Sequence, residues 1–140
     1  MKETYLEMKK RHSEALDAFP MFFAFSKEQY IKGKEKLGVT SDDDIVSVWC
    51  GGFVRKSDAD AFVEMMESQT KELEHALHTD DDFLYKAMVY KLRDTEAGYT
   101  GEMDDALNQL GLTKTELARN KHMATICQKA MDYVMGGDSE

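Results

Sequence analysis

The chain has 140 residues and a formal net charge of −9 at pH 7, a length that suits one domain able to bury about two-thirds of its unfolded surface. An apolar share of 42% calls for a packed core rather than disorder, and the longest apolar run, around Phe19 to Phe25, is far too short to span a bilayer. A surplus of negative charge repels nucleic acid and anionic membrane and attracts basic partners.

That surplus is concentrated. Residues 1–41 carry 8 Lys/Arg against 6 Asp/Glu, residues 42–105 carry 6 against 17, and residues 106–140 carry 4 against 4. The segments therefore hold +2, −11 and zero, and all of the excess lies in the middle. One proline, no Ser/Gly-rich linker and no internal repeat predict a single domain over 1–140, with a short frayed tail from about 136. The opening MKETYLEMKKRH alternates charge with apolar residues and lacks the hydrophobic stretch of a signal peptide. Cys50 and Cys127 are far apart and read as reduced core thiols. Both features predict a cytoplasmic protein.

In chain order, Tyr5, Met8, His12, Ala15/Leu16 and Phe19 recur at helical steps and predict a helix over 3–19, ended by Pro20. MFFAF (21–25) reads as a buried strand. Ser26 and Gln29 form a capping-box pattern opening a second helix that ends at Gly38. SDDD (41–44) is a turn, IVSVW (45–49) a strand, and Phe53–Arg55 another strand. A β-α-β crossover from 21 to 49 would make the first two strands parallel. Ser57-Asp58 caps a long helix over 58–77, and Thr79 with three aspartates caps the next, over 81–94. Gly98 and Gly101 bracket a turn. Met103 to Leu110 give a short helix closed by Gly111, Thr113-x-x-Glu116 is another capping box, and the last helix is broken near Asn120. The fold class is α+β: about five to six helices with a two- to three-stranded sheet.

Two stretches compete as sites. VWCGGFVRKSDAD (48–60) places Gly51-Gly52 between strand-like halves, which is first a hairpin or bulge signal. The functional alternative is an anion nest in which Trp49, Gly51, Gly52, Arg55 and Lys56 hold a nucleotide-like signal at a helix start. Its spacing matches no phosphate-binding motif, and Asp58 and Asp60 stand where the anion would go. The helix over 58–77 is the more specific feature. Asp60, Glu64, Glu67 and Glu74 follow at steps of 4, 3 and 7 and share one face, while Phe62, Met66, Leu73 and Leu77 form another. With Asp80, Asp81 and Asp82 they make a set of carboxylates suited to a basic groove, such as the nucleic-acid channel of another protein.

Other constellations read as structure. Glu72, His75, His78 and the DDD that follows have the His-x-x-His spacing and carboxylates that can hold a divalent ion, but the Thr79 cap should break the helix between the two groups, no established metal motif is present, and three aspartates are the expected composition of a first helical turn. His12 falls on an apolar stripe. No Ser/His/Asp or Cys/His arrangement appears, so no catalytic residue, metal or cofactor is expected. Met65-Met66 and Met131/Met135 suit a core before they suit a partner groove.

FFAFSKEQ, VWCGGFVRKSDADAF, DDFLYKAMVYKL and ALNQLGLT together resemble a family of short acidic proteins of unassigned function from phages and mobile elements of gut bacteria. The resemblance implies a phage accessory protein acting in the cytoplasm of its host bacterium, without implying a mechanism. The expectation is a non-enzymatic protein-binding module. In its sharpest form it is an anti-defence, anti-CRISPR-like inhibitor, a DNA mimic whose acidic surface occupies a basic nucleic-acid-binding groove. It binds no nucleic acid directly and no membrane, and the reading admits a homodimer. The alternative is a small-ligand protein using the 49–56 turn.

Overall fold

The computed structural model of the chain describes residues 2–48, 51–95 and 102–136. Seven α-helices and three strands lie among them: α1 Tyr5–Ala18, β1 Met21–Phe23, α2 Lys27–Leu37, β2 Ile45–Ser47, β3 Gly52–Arg55, α3 Ala59–Thr79, α4 Asp81–Asp94, α5 Asp104–Gln109, α6 Lys114–Arg119 and α7 Lys121–Gly136. This is the mostly helical α+β class expected. By their contacts the residues divide into two compact units, Arg11–Gln69 and Met1–Lys10 with Thr70–Glu140. The divisions fall inside α1 and α3. No helix among the described residues is long and apolar enough to cross a membrane.

The unit 11–69 is built on the sheet, ordered β1-β3-β2 with both pairings antiparallel. β1 and β2 therefore point the same way, as a crossover requires, but β3 lies between them and they do not pair. The hairpin from β2 to β3 is short, so β3 takes the edge of β2 and leaves β1 its far side. Val54 at the centre is fully buried. β1 is shorter than MFFAF because Gln29 Oε1 accepts the Phe25 N–H at 2.7 Å, turning the chain into α2. Ser26 Oγ accepts the Gln29 N–H at 3.2 Å, which completes the cap on α2. That helix ends where Gly38, at φ 73°, donates to Glu35 O while Val39 N donates to Lys34 O, a Schellman closure open to glycine. Phe22 stacks on Phe53 with centroids 5.3 Å apart, and the α2 backbone at buried Gly33 rests on the Phe22 ring.

In the other unit, described over 2–10, 70–95 and 102–136, the core is built from helices. α4 contributes Leu84, Ala87, Met88 and Leu92, and α7 contributes Met123, Ile126, Cys127, Ala130 and Met131. Ala87 and Ala130, both fully buried, let the two backbones approach. Four side-chain caps set helix starts here. Thr4 and Glu7 cap each other reciprocally, Glu7 N to Thr4 Oγ1 at 3.2 Å and Thr4 N to Glu7 Oε1 at 2.9 Å, so α1 starts at Tyr5 rather than residue 3. Thr113 Oγ1 accepts Glu116 N at 3.1 Å and Asn120 Oδ1 accepts Met123 N at 3.1 Å. The expected break at Asn120 is thus the cap of α7. The predicted cap at Thr79 moves by one residue. Thr79 ends α3, its hydroxyl donating to His75 O at 2.7 Å, and Asp80 caps α4 by accepting Phe83 N at 3.2 Å.

Candidate functional site

Helix α3 carries the acidic row. Phe62 and Leu77 are 3% and 2% exposed, Met66 and Leu73 are half-buried, and Asp60, Glu64, Glu67 and Glu74 are all exposed. Burial of the apolar face fixes the rotation of the helix and so turns the carboxylates outward. Phe62 is anchored by the Phe19 ring, T-shaped at 5.4 Å. None of the four carboxylates forms an ion pair with a described residue. At 1.5 Å per residue the row extends about 20 Å along the helix.

The neighbouring aspartates have local work. Asp80 is the α4 cap, Asp81 Oδ2 lies 2.8 Å from His122 Nε2, and Asp82 Oδ2 lies 3.2 Å from Lys86 Nζ. In the other unit, Asp42 accepts from Tyr30 Oη at 3.0 Å and from Lys34 Nζ at 2.6 Å. These bonds hold the Asp42 carboxyl below the usual range and raise Lys34. Asp42, Asp80, Asp81 and Asp82 are thus each held by a local partner, whereas the four carboxylates of the α3 row form no ion pair with a described residue.

At the second stretch, Trp49 and Cys50 lie outside the described residues, as does the predicted turn at 98–101. Gly51 has φ 78°, and Val48 N donates to Gly52 O at 2.8 Å, so the glycines serve a hairpin turn. A Cβ at Gly51 would stand 2.5 Å from the Phe25 ring. Gly52 is the buried first residue of β3. The Arg55 guanidinium bridges Asp58 Oδ2 at 2.9 Å and Leu37 O at 3.1 Å, which fastens β3 to the end of α2 and to the turn that precedes α3. Lys56 is exposed in a 3₁₀ turn, Lys56–Asp58.

The structure gives His78 not a metal but a partner 38 positions away. Its Nδ1 lies 2.7 Å from Glu74 O and its Nε2 lies 2.6 Å from Glu116 Oε2. Both neighbours accept hydrogen bonds, so both ring nitrogens donate only in the imidazolium form. The Glu116 hydrogen bond, then the Glu74 carbonyl, raises the His78 pKa. Among the described residues no cluster of His, Cys, Asp and Glu is arranged to hold a metal. Cys127 is fully buried, and burial pushes its thiol up to about 11, which makes it inert. His12 is half-buried, and its carbonyl accepts from Gln69 Nε2 at 3.2 Å. Met131 is core, Met65 and Met66 are half-buried, and Met135 is 50% exposed.

The sequence reading missed a groove of about 820 Å³ on the helical unit, where Tyr5, Leu6, Tyr85, Val89, Tyr90 and Tyr133 converge with Lys86, Arg93 and Asp94. Tyr85 and Tyr90 are visible as neighbours on α4, but Tyr5 and Tyr133 come from opposite ends of the chain. Burial, then Tyr90 and Asp94, pushes the Tyr5 phenol up to about 12, so it stays a neutral donor.

The model of a family of unknown function (DUF7659) matches residues 4–133. No curated protein and no solved structure matches the chain.

Proposed function

The chain belongs to the DUF7659 family of unknown function, and we propose that it is a non-enzymatic protein-binding module that presents the exposed face of α3 to a basic partner. One observation carries the reading: Asp60, Glu64, Glu67 and Glu74 are exposed on one side of a helix whose opposite side is core, and none is engaged in an ion pair with a described residue. Four like charges along one helix, with Lys71 as the cation among them, repel each other mildly. A basic surface relieves that repulsion and gains rate and register from it.

A row of carboxylates about 20 Å long approximates the charge spacing of a nucleic-acid backbone coarsely. The sharper form of the proposal is therefore a partner that itself binds nucleic acid, and the sequence resemblance to phage and mobile-element proteins favours a host defence protein in that role. The test uses the variant Asp60→Asn/Glu64→Gln/Glu67→Gln/Glu74→Gln. It should keep the circular dichroism spectrum and melting behaviour of the parent. Its affinity for a purified partner should fall, with the loss largest at low salt and vanishing once the Debye length shrinks to about 3 Å near 1 M. Equal affinities for parent and variant at low salt refute the proposal.

A further inference from the structure

In the tyrosine-lined groove several cations gather around aromatic faces. Arg93 Cζ lies 5.1 Å from the Tyr133 ring centroid, and Lys9 Nζ and Lys91 Nζ lie 5.6 and 5.7 Å from that of Tyr90. Lys86 also lines the groove and pairs with Asp82 at 3.2 Å, the two side chains 54% and 70% exposed. Such exposed pairs contribute little, so Lys86 exchanges Asp82 for a stronger anion at small cost. The charged side chains of the lining are Lys86, Arg93 and Asp94. The rings are arranged as tilted pairs, Tyr85–Tyr133 at 6.4 Å and Tyr5–Tyr90 at 5.7 Å. Leu6 at 56% and Tyr133 at 36% exposure leave apolar surface open at the rim. A volume of about 820 Å³ lies in the range of small-ligand sites.

We propose that this groove binds a free mononucleotide, its base against the tyrosine rings and its phosphate at Arg93 and Lys86. Aromatic faces stack any planar base. A guanidinium held over a ring is the planar fork suited to phosphate oxygens. The overall charge of −9 selects against a long strand, because a polyanion is repelled along its length, while one phosphate brings about two charges to a locally cationic spot. The site is separate from the α3 face and stands or falls independently of it.

The test is isothermal titration calorimetry of the whole protein with AMP and GMP, beside adenosine, ribose 5-phosphate and a ten-residue single-stranded oligodeoxyadenylate. AMP or GMP should bind saturably. Adenosine and ribose 5-phosphate should each bind at least ~10-fold more weakly, since each keeps half of the recognition. Arg93→Gln and Tyr133→Leu alter exposed side chains, so each should fold like the parent, checked by circular dichroism, and weaken AMP by ~10-fold. The four-carboxylate α3 variant should bind AMP normally. No saturable binding of either nucleotide up to about 5 mM, far weaker than a specific site requires, overturns the proposal. So does parental affinity in both groove variants, and so does tighter binding of the oligonucleotide than of AMP, which would assign the groove to a nucleic-acid strand.

Discussion

Replacing Gly33 by alanine isolates the packing that seats α2 on the sheet. On an exposed helix the change stabilises by about 0.8–1 kcal/mol, the difference in intrinsic propensity. Here the new methyl would stand 2.0, 2.3 and 2.4 Å from Cδ1, Cγ and Cε1 of Phe22. The ring has little room to retreat, because Phe22 is 6% exposed, stacked on Phe53 and tilted against Tyr30 at 6.0 Å. Overpacking of this kind costs about 1–3 kcal/mol, and contact with a confined ring body places the cost near the upper end. The net is a loss of about 2 kcal/mol, or roughly 5–10 °C in Tm for a chain of this size. Urea unfolding followed by fluorescence and far-ultraviolet circular dichroism measures it. Adding Phe22→Leu should recover part of the loss, with a coupling of about 1 kcal/mol or more in the double-mutant cycle. Gly33→Ala as stable as the parent, or more stable, would refute the contact between α2 and β1.

Other outcomes follow from the same geometry. His78 should titrate above its ordinary value of 6.5 in an NMR pH series, so its ion pair with Glu116 stabilises the fold fully below about pH 6.5 and fades as pH rises through the folded value; a pKa at or below 6.5 contradicts the two-acceptor geometry. Asp80→Ala should cost about 1 kcal/mol by removing the α4 cap, whereas Thr79→Ala should cost clearly less in the same urea assay. Cys127 should stay unmodified by a thiol reagent at pH 8 in the native protein, as read by peptide mass spectrometry, and react once the chain is unfolded; native labelling would contradict its burial.

Most of the helical framework was legible because it is written locally. Ser26–Gln29, Thr113–Glu116 and the 3.6-residue apolar period of α3 and α4 each act within one or two turns. The capping box at Thr4–Glu7 was equally local and was overlooked beneath the apolar periodicity that begins at Tyr5. The sheet order was not legible. β1, β2 and β3 are three or four residues long, and such runs carry no label for their neighbours. Periodicity placed the α3 carboxylates on one face, but their exposure, like the engagement of Asp42, Asp81 and Asp82, depends on what packs against them and was not legible. The partners of these three aspartates, Lys34, His122 and Lys86, sit 8, 41 and 4 positions away, and only the last is a helical step. The tyrosine groove draws on α1, α4 and α7 at once, which no window of sequence spans.

The most direct test of the acidic-face account is comparative affinity capture. Tagged parent protein and the four-carboxylate variant are each incubated with lysate of the organism that carries the gene, washed at about 0.05 and 0.5 M salt to span the electrostatic range, and the retained proteins are quantified by mass spectrometry. The account predicts a protein held in stoichiometric amount by the parent at low salt, released at high salt, and absent from the variant. The same proteins retained by both, in the same amounts at both salts, would contradict it.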